Sequence, residues 1–158
     1  MTNVKRVQFS ATIEASVDVV WATMLADKSY RQWTVPFMEG SYFEGSWDEG
    51  SRILFLAPSG DGMVAEVAEH RPQEFISIRH VGVIVDGVED TESESVRAWA
   101  PAYENYTFVA VPEGTRVVVE QDIDENSEQS LGETWSGAFE LLAQLCEPAA
   151  GVAGSDAQ

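Results

Sequence analysis

One long amphipathic segment near the C-terminus narrows the folds that this chain can adopt. From Ser127 or Ser130 up to Pro148, apolar residues recur every three or four positions, which predicts one apolar stripe of a helix. The stripe consists of Leu131, Trp135, Ala138, Leu142 and Leu145. No other predicted helix is as long, so this helix is the one that can cover a large hydrophobic surface.

The segments before that helix predict about seven antiparallel strands. Apolar and polar residues alternate from Val7 to Ile13, which indicates a strand with one buried and one exposed face. Turns rich in Gly, Pro, Asp and Ser separate the other predicted strands. These strands are residues 41–47, 52–57, 63–68, 75–81, 105–111 and 115–121.

Two short helices are predicted directly after the first strand. Ser16 can cap a helix that ends near Asp27, and residues 29–33 can add another helical turn before Pro36 stops it. The longest segment without a predicted element, residues 85–101, is rich in Asp, Glu and Ser. A loop of that length inside a compact domain is usually functional or mobile.

The order of these elements predicts an α+β fold rather than alternating β-α-β units. A sheet of about seven twisted strands needs one face covered, so we expect a curved antiparallel sheet wrapped round the long C-terminal helix, the helix-grip arrangement. Residues 1–147 are predicted to form this single domain, and residues 148–158 a disordered C-terminal tail because they are small and polar.

The charge of the chain restricts its partners. The 27 acidic residues outnumber the 9 basic ones and give a formal net charge of −18. Such a surface repels phosphate backbones and anionic lipid headgroups, so we expect no nucleic-acid partner and no membrane partner. Solubility is the simplest reason for this acidic composition, and adaptation to high salt or a basic protein partner are the alternatives.

The cysteine content and the N-terminal segment predict a cytoplasmic protein. Cys146 is the only cysteine, so no intramolecular disulfide can form. Residues 1–6 lead directly into the first strand without the apolar region of a signal peptide, and no window reaches the ~18 apolar residues of a membrane span.

Several short sequence segments, in the order in which they occur, resemble those of one superfamily. They are Ala-Ser-Val-Asp-Val-Val-Trp at 15–21, Trp33, His-Val-Gly at 80–82, Asp-Gly at 86–87, Glu-Asn-Tyr-Thr-Phe at 104–108 and Gly-Thr at 114–115. Together with the order of elements, they are similar to the START-like, or SRPBCC, superfamily. Within it the chain looks most like the branch named for homology to the activator of the heat-shock protein 90 ATPase. The resemblance covers residues 4–147.

The resemblance implies a cavity between the sheet and the C-terminal helix, gated by the short helices and the loops. The residues of this sequence expected to line it are Trp33, Phe37, Phe55, His80, Trp99, Tyr106, Trp135 and Phe139. Packing in an ordinary core is the alternative for each of these side chains. Five tryptophans in a chain of 158 residues nevertheless call for a large apolar volume.

Few side chains offer a basis for catalysis or metal binding. The nitrogen and sulfur ligands are His70, His80 and Cys146, too few for a zinc site, so we expect no metal and no cofactor. Strand parity points His80 into the proposed cavity, where Glu104 or Tyr106 could help it to transfer protons. The resemblance links such a residue to aldol-type cyclisation or dehydration. A structural histidine bonded to a backbone carbonyl or a water is the simpler interpretation.

Three functions are compatible with these observations. The leading hypothesis is non-catalytic binding of a hydrophobic or amphipathic small molecule in the cavity. The alternative is a cyclase- or dehydratase-type enzyme that uses the same cavity and His80. A co-chaperone-like interaction with a chaperone partner ranks below both, because the resembling activators carry a separate binding module. The sequence also leaves open whether two copies of the chain form a homodimer through a sheet edge.

Overall fold

The computed structural model of the protein describes residues 4–147. Its strands are β1 (Val4–Ile13), β2 (Tyr42–Gly45), β3 (Arg52–Leu56), β4 (Gly62–Arg71), β5 (Phe75–Val85), β6 (Val88–Asp90), β7 (Ala102–Val111) and β8 (Gly114–Asp124). Its helices are α1 (Val17–Leu25), α2 (Asp27–Trp33), α3 (Glu94–Arg97) and α4 (Glu128–Cys146), with a short 3-10 turn at Glu125–Ser127. The tail predicted for residues 148–158 lies outside the described residues.

All eight strands belong to one antiparallel sheet. Its order is β1-β8-β7-β5-β4-β3-β2, and β6 pairs with the C-terminal end of β5. β1 and β8 pair along their length, from Val4 opposite Asp124 to Ile13 opposite Thr115. The predicted fold class is confirmed, because an antiparallel sheet, two short helices after the first strand and a long C-terminal helix are all present.

The hydrophobic core lies between α4, the short helices and one face of the sheet. α4 contributes Trp135, Ala138, Phe139, Leu142 and Cys146, and the sheet contributes residues such as Ile76, Ile78, Phe108, Val117 and Val119. Burying each large apolar side chain contributes about 1.5–3 kcal/mol relative to leaving it exposed. The sheet and α4 therefore stabilise each other mainly by apolar burial.

The apolar stripe of α4 is shifted from the predicted one. Leu131 and Leu145 are only partly buried, whereas Phe139 and Cys146 are buried. Leu145 lies roughly 80° round the helix from Trp135, while Cys146 lies within about 20° of it. The face that packs on the sheet therefore follows Phe139 and Cys146 rather than Leu145.

The segment predicted as a loop, residues 85–101, contains secondary structure. β5 continues to Val85 and forms a hairpin with β6, and α3 follows with Ser93 as its N-cap. A Cβ atom on Gly82 would lie 2.4 Å from the carbonyl oxygen of Asp90, so only glycine lets β6 lie this close to β5. This close approach was not recognised from the sequence, and it explains the extra strand.

The lengths of the helices bear on membrane insertion. In the part of the chain from residue 4 to residue 147, none of the helices combines the length and the apolar character needed to span a bilayer.

Candidate functional site

A cavity of about 840 Å³ opens between α2, α4, the α3 segment and the sheet. This volume lies within the ~300–1,000 Å³ that is typical of small-molecule sites. Seven of the eight residues predicted from the sequence line it: Trp33, Phe37, Phe55, His80, Trp99, Tyr106 and Trp135. The eighth, Phe139, lines a separate groove of about 400 Å³ between β1 and α4. Phe139 follows Trp135 by one helical turn and lies further along α4, beside β1, which takes it away from the cavity.

The aromatic wall of the cavity is held by hydrogen bonds to the rest of the protein. Trp33 Nε1 donates to the carbonyl oxygen of Met24 at 3.1 Å, and Trp135 Nε1 donates to Gln121 Oε1 at 3.0 Å. The two indole rings are stacked with centroids 5.8 Å apart, and Phe37 packs edge-on against Trp135 at 4.9 Å. Both indoles are almost fully buried, so the aromatic surface that the wall presents to a ligand belongs mainly to Phe37, Phe55 and Trp99.

A polar cluster of three side chains from β5 and β7 interrupts this apolar lining. The pairing of the strands places Ile78 opposite Glu104 and His80 opposite Ala102, so His80 and Glu104 are diagonal neighbours on one face of the sheet. His80 Nε2 lies 3.0 Å from Glu104 Oε1, and the Tyr106 hydroxyl group donates to Glu104 Oε2. Glu104 thus connects the other two side chains.

The hydrogen bonds of this cluster assign the proton on the imidazole of His80. An ionised carboxylate can only accept, so the bond to Glu104 requires a proton on Nε2 and leaves the lone pair of a neutral ring on Nδ1. His80 is 9% exposed, and its Nδ1 atom is buried without a hydrogen-bond partner. An unsatisfied buried acceptor costs about 1–3 kcal/mol. The cluster therefore contains one buried nitrogen, His80 Nδ1, that no protein group satisfies.

Tyr30 is a further cavity residue that the sequence interpretation missed. It precedes Trp33 by three residues on α2, so both rings lie on the same helix face. Burial, and then the negative charge of Glu104, raise the pKa of Tyr30 and of Tyr106. Both hydroxyl groups are therefore neutral at pH 7. The i, i+3 spacing of two aromatic residues was the signal that could have identified Tyr30.

Three aspartates, Asp61, Asp122 and Asp124, also line the cavity. Asp122 is paired with Arg6, whose guanidinium group donates to its two carboxylate oxygens at 2.8 and 3.0 Å. These hydrogen bonds lower the pKa of Asp122. Among the described residues, no lysine or arginine lines the cavity. Its formal charges are therefore carboxylates.

The remaining residues with catalytic or metal-binding potential lie outside the cavity. His70 Nδ1 donates to the Trp47 carbonyl oxygen at 2.7 Å, and the ring packs against Trp21, which indicates a structural histidine. Cys146 is buried in the core, and burial raises the pKa of its thiol. Within residues 4–147, no group of three or more His, Cys, Asp or Glu side chains could hold a metal ion.

The fold is shared with many solved structures, although the chain matches no protein-family model and no curated protein sequence. The protein MLL2253 from Mesorhizobium loti is 17% identical with a TM-score of 0.66, and the match covers 89% of this chain and 96% of that one. The protein NE0264 from Nitrosomonas europaea is 13% identical with a TM-score of 0.69, and the match covers 93% of this chain and 97% of that one.

DynU16, a protein in the dynemicin biosynthetic locus, is 18% identical with a TM-score of 0.68. The match covers 91% of this chain but only 48% of DynU16, so this chain corresponds to about half of that protein. Identities this low establish the fold alone. What these proteins share with this chain is the fold, the helix-grip arrangement predicted from the sequence.

Proposed function

We propose that the protein binds a hydrophobic or amphipathic small molecule in the cavity between α2, α4 and the sheet. The cavity itself carries the proposal, because about 840 Å³ of space stays open between α2, α4 and the sheet. Protein interiors are close-packed, and a void forfeits the dispersion contacts that its lining would otherwise make. Aromatic side chains that frame such a volume are typical of a site for an apolar ligand.

The test uses a neutral fluorescent probe, N-phenyl-1-naphthylamine, and one variant that fills the cavity. Ala102→Phe adds a ring on the same strand face as Glu104 and Tyr106, where Ala102 lines the cavity. Ala110→Phe is the matched control, since it lies on the same strand at the same parity but is exposed. We expect saturable binding to the wild type and the control, and at least about tenfold weaker binding to Ala102→Phe.

Equal affinities for all three proteins would mean that the probe binds elsewhere. An absence of saturable binding to the wild type would contradict the proposed function. Native mass spectrometry of the freshly purified protein, followed by extraction of any retained molecule, would identify the chemical class of the natural ligand.

A second function, that of a cyclase- or dehydratase-type enzyme, is favoured by one observation. His80 Nε2 lies 3.0 Å from Glu104 Oε1 at the wall of the cavity, and a histidine oriented by a carboxylate can act as a general base once a substrate reaches its other nitrogen, which is buried here. If the cavity is catalytic, His80→Gln should abolish conversion of an extracted ligand and retain its binding. The control is His70→Gln, which changes a histidine outside the cavity. Conversion that is unchanged in His80→Gln would rule out the catalytic role.

The remaining parts of the proposal rest on the net charge of −18 for the partners, and on the single cysteine and the N-terminal segment for the compartment. We propose a cytoplasmic protein whose partner is a small molecule rather than nucleic acid or an anionic membrane. Membership of the branch named for the activator of the heat-shock protein 90 ATPase, and a co-chaperone role with it, rest on the sequence resemblance. The cavity requires neither of them.

A further inference from the structure

We propose that the ligand of this cavity carries a protonated amine, so that the site selects an apolar organic cation over a neutral or anionic molecule of similar shape. This inference rests on the proposed binding function and specifies its ligand class. It follows from the signs of the charges at the cavity, from the aromatic wall and from the hydrogen-bonding groups of the polar cluster.

The residues with formal charges that line the cavity are acidic. Glu104, Asp61, Asp122 and Asp124 line it, and Asp122 is the one neutralised by a guanidinium group, that of Arg6. Among the described residues, Glu104, Asp61 and Asp124 form no ion pair with a lysine or an arginine. A carboxylate or phosphate ligand would therefore enter against repulsion, whereas an ammonium group would be attracted.

The aromatic wall adds a second attraction for a cation. Phe37, Phe55 and Trp99 line the cavity with partly exposed rings, whereas Trp33 and Trp135 lie behind them almost fully buried. The faces of aromatic rings carry the negative part of their quadrupole, and they bind ammonium groups within about 6 Å of the ring centroid. Tryptophan is the strongest side chain for this interaction, and Trp99 is the partly exposed tryptophan of the cavity.

The polar cluster presents a hydrogen-bond acceptor to the cavity. An ionised Glu104 can only accept and its side chain is 16% exposed, whereas His80 Nδ1, the nitrogen without a partner, is itself buried. The hydroxyl hydrogen of Tyr106 is already donated to Glu104. A ligand group that satisfies this cluster must donate hydrogen bonds, which an ammonium group does and a carboxylate cannot.

The experiment compares three ligands that share a naphthalene ring: 1-naphthylmethylammonium, 1-naphthalenemethanol and 1-naphthoate. Their dissociation constants for the wild-type protein are measured by calorimetry at pH 7 and low ionic strength. We expect the ammonium compound to bind about tenfold more tightly than the alcohol and about a hundredfold more tightly than the carboxylate. This comparison needs no variant and is unaffected by any folding defect.

A pair of variants then locates the preference. Glu104→Gln and Glu113→Gln each remove one negative charge, and Glu113 is exposed in the β7–β8 turn away from the cavity. Glu104→Gln is expected to reduce the preference for the ammonium compound over the alcohol at least about fivefold, and Glu113→Gln less than about twofold. Equal effects of the two variants would assign the preference to net charge and overturn the assignment to this site.

The ligand series separates the two proposals. If the alcohol or the carboxylate binds as tightly as the ammonium compound, the cation preference is overturned while the proposed binding function stands. If none of the three compounds binds, the proposed function fails and the cation preference fails with it.

Discussion

Removal of the Tyr106 hydroxyl group should destabilise the protein through its bond to Glu104. Tyr106 is 4% exposed, and the side chain of Glu104 is 16% exposed, so both groups are largely removed from water. Tyr106→Phe deletes the donor and leaves the ring in place. The variant therefore isolates a hydrogen bond rather than a loss of packing.

The expected cost follows from the charge of the acceptor. A hydrogen bond to a charged group contributes about 1.5–3 kcal/mol to stability, whereas a neutral one contributes about 0.5–1.5 kcal/mol. Because Glu104 keeps some exposure and its second oxygen keeps His80, we expect the lower part of the range, about 1.5–2 kcal/mol. For a domain of this size that corresponds to a decrease in Tm of roughly 3–8 °C.

Urea denaturation of a double-mutant cycle tests this reasoning. In the Glu104→Gln background the bond from Tyr106 becomes neutral, so the same substitution should cost about 1 kcal/mol less. Tyr42→Phe, which changes a half-buried tyrosine of β2 outside the cluster, is the control. A cost below about 0.5 kcal/mol for Tyr106→Phe, or strictly additive costs in the cycle, would refute the proposed bond.

Three further predictions concern pH dependence and packing. The raised pKa values of Tyr30 and Tyr106 contribute stability that is complete below the ordinary tyrosine pKa of about 10 and is lost as pH rises through the folded-state values. The urea midpoint should therefore fall above pH ~10, and less steeply in Tyr106→Phe; an identical slope would contradict this. The lowered pKa of Asp122 contributes stability that is present above its ordinary value of about 3.9 and is lost as pH falls through the folded-state value. The difference in urea midpoint between wild type and Arg6→Gln should accordingly shrink toward pH ~2, and a constant difference would exclude the ion pair as its source. Leu142→Ala, at a fully buried position of α4, should lower the free energy of unfolding by about 2–5 kcal/mol, and a loss under about 1 kcal/mol would contradict the packing of α4 on the sheet.

Much of the fold was predictable because local patterns and global packing agree. Alternation along the first strand places Val7 and Ile13 on the buried face, and turn residues mark the ends of the other long strands. Helical spacing predicts α4 and its central residues Trp135 and Leu142. The C-terminal end of the apolar stripe was predicted wrongly. Whether Cys146 or Leu145 faces the sheet depends on the rotation of α4 relative to the sheet, which the spacing of apolar residues does not determine.

The polar cluster was only partly predictable. Strand parity indicates that His80 faces the same side as Ile78, and that inference needs only one strand. Its bond to Glu104 depends on the register between β5 and β7, which a 16-residue connection separates in sequence. Tyr30 was missed because its spacing from Trp33 indicates a shared helix face, whereas whether that face lines the cavity depends on how the helix packs on the sheet. The hairpin of β6 depends on the close approach at Gly82, which the sequence pattern alone does not reveal.

β5 pairs with β7 in its first half and with β6 at its end. The connection between β5 and β7 can therefore vary in length without a change in the pairing of the sheet. β5 pairs with β7 from Phe75 to His80 and then, still paired with β4, exchanges β7 for β6 as its other neighbour, so the connection that carries Trp99 leaves and rejoins the sheet beside the cavity. Insertions or deletions in residues 91–101 would alter the size of the cavity while the register of β5 and β7 stays fixed. Mutations in this connection can therefore change which ligand the cavity prefers, while the pairing that stabilises the fold stays the same.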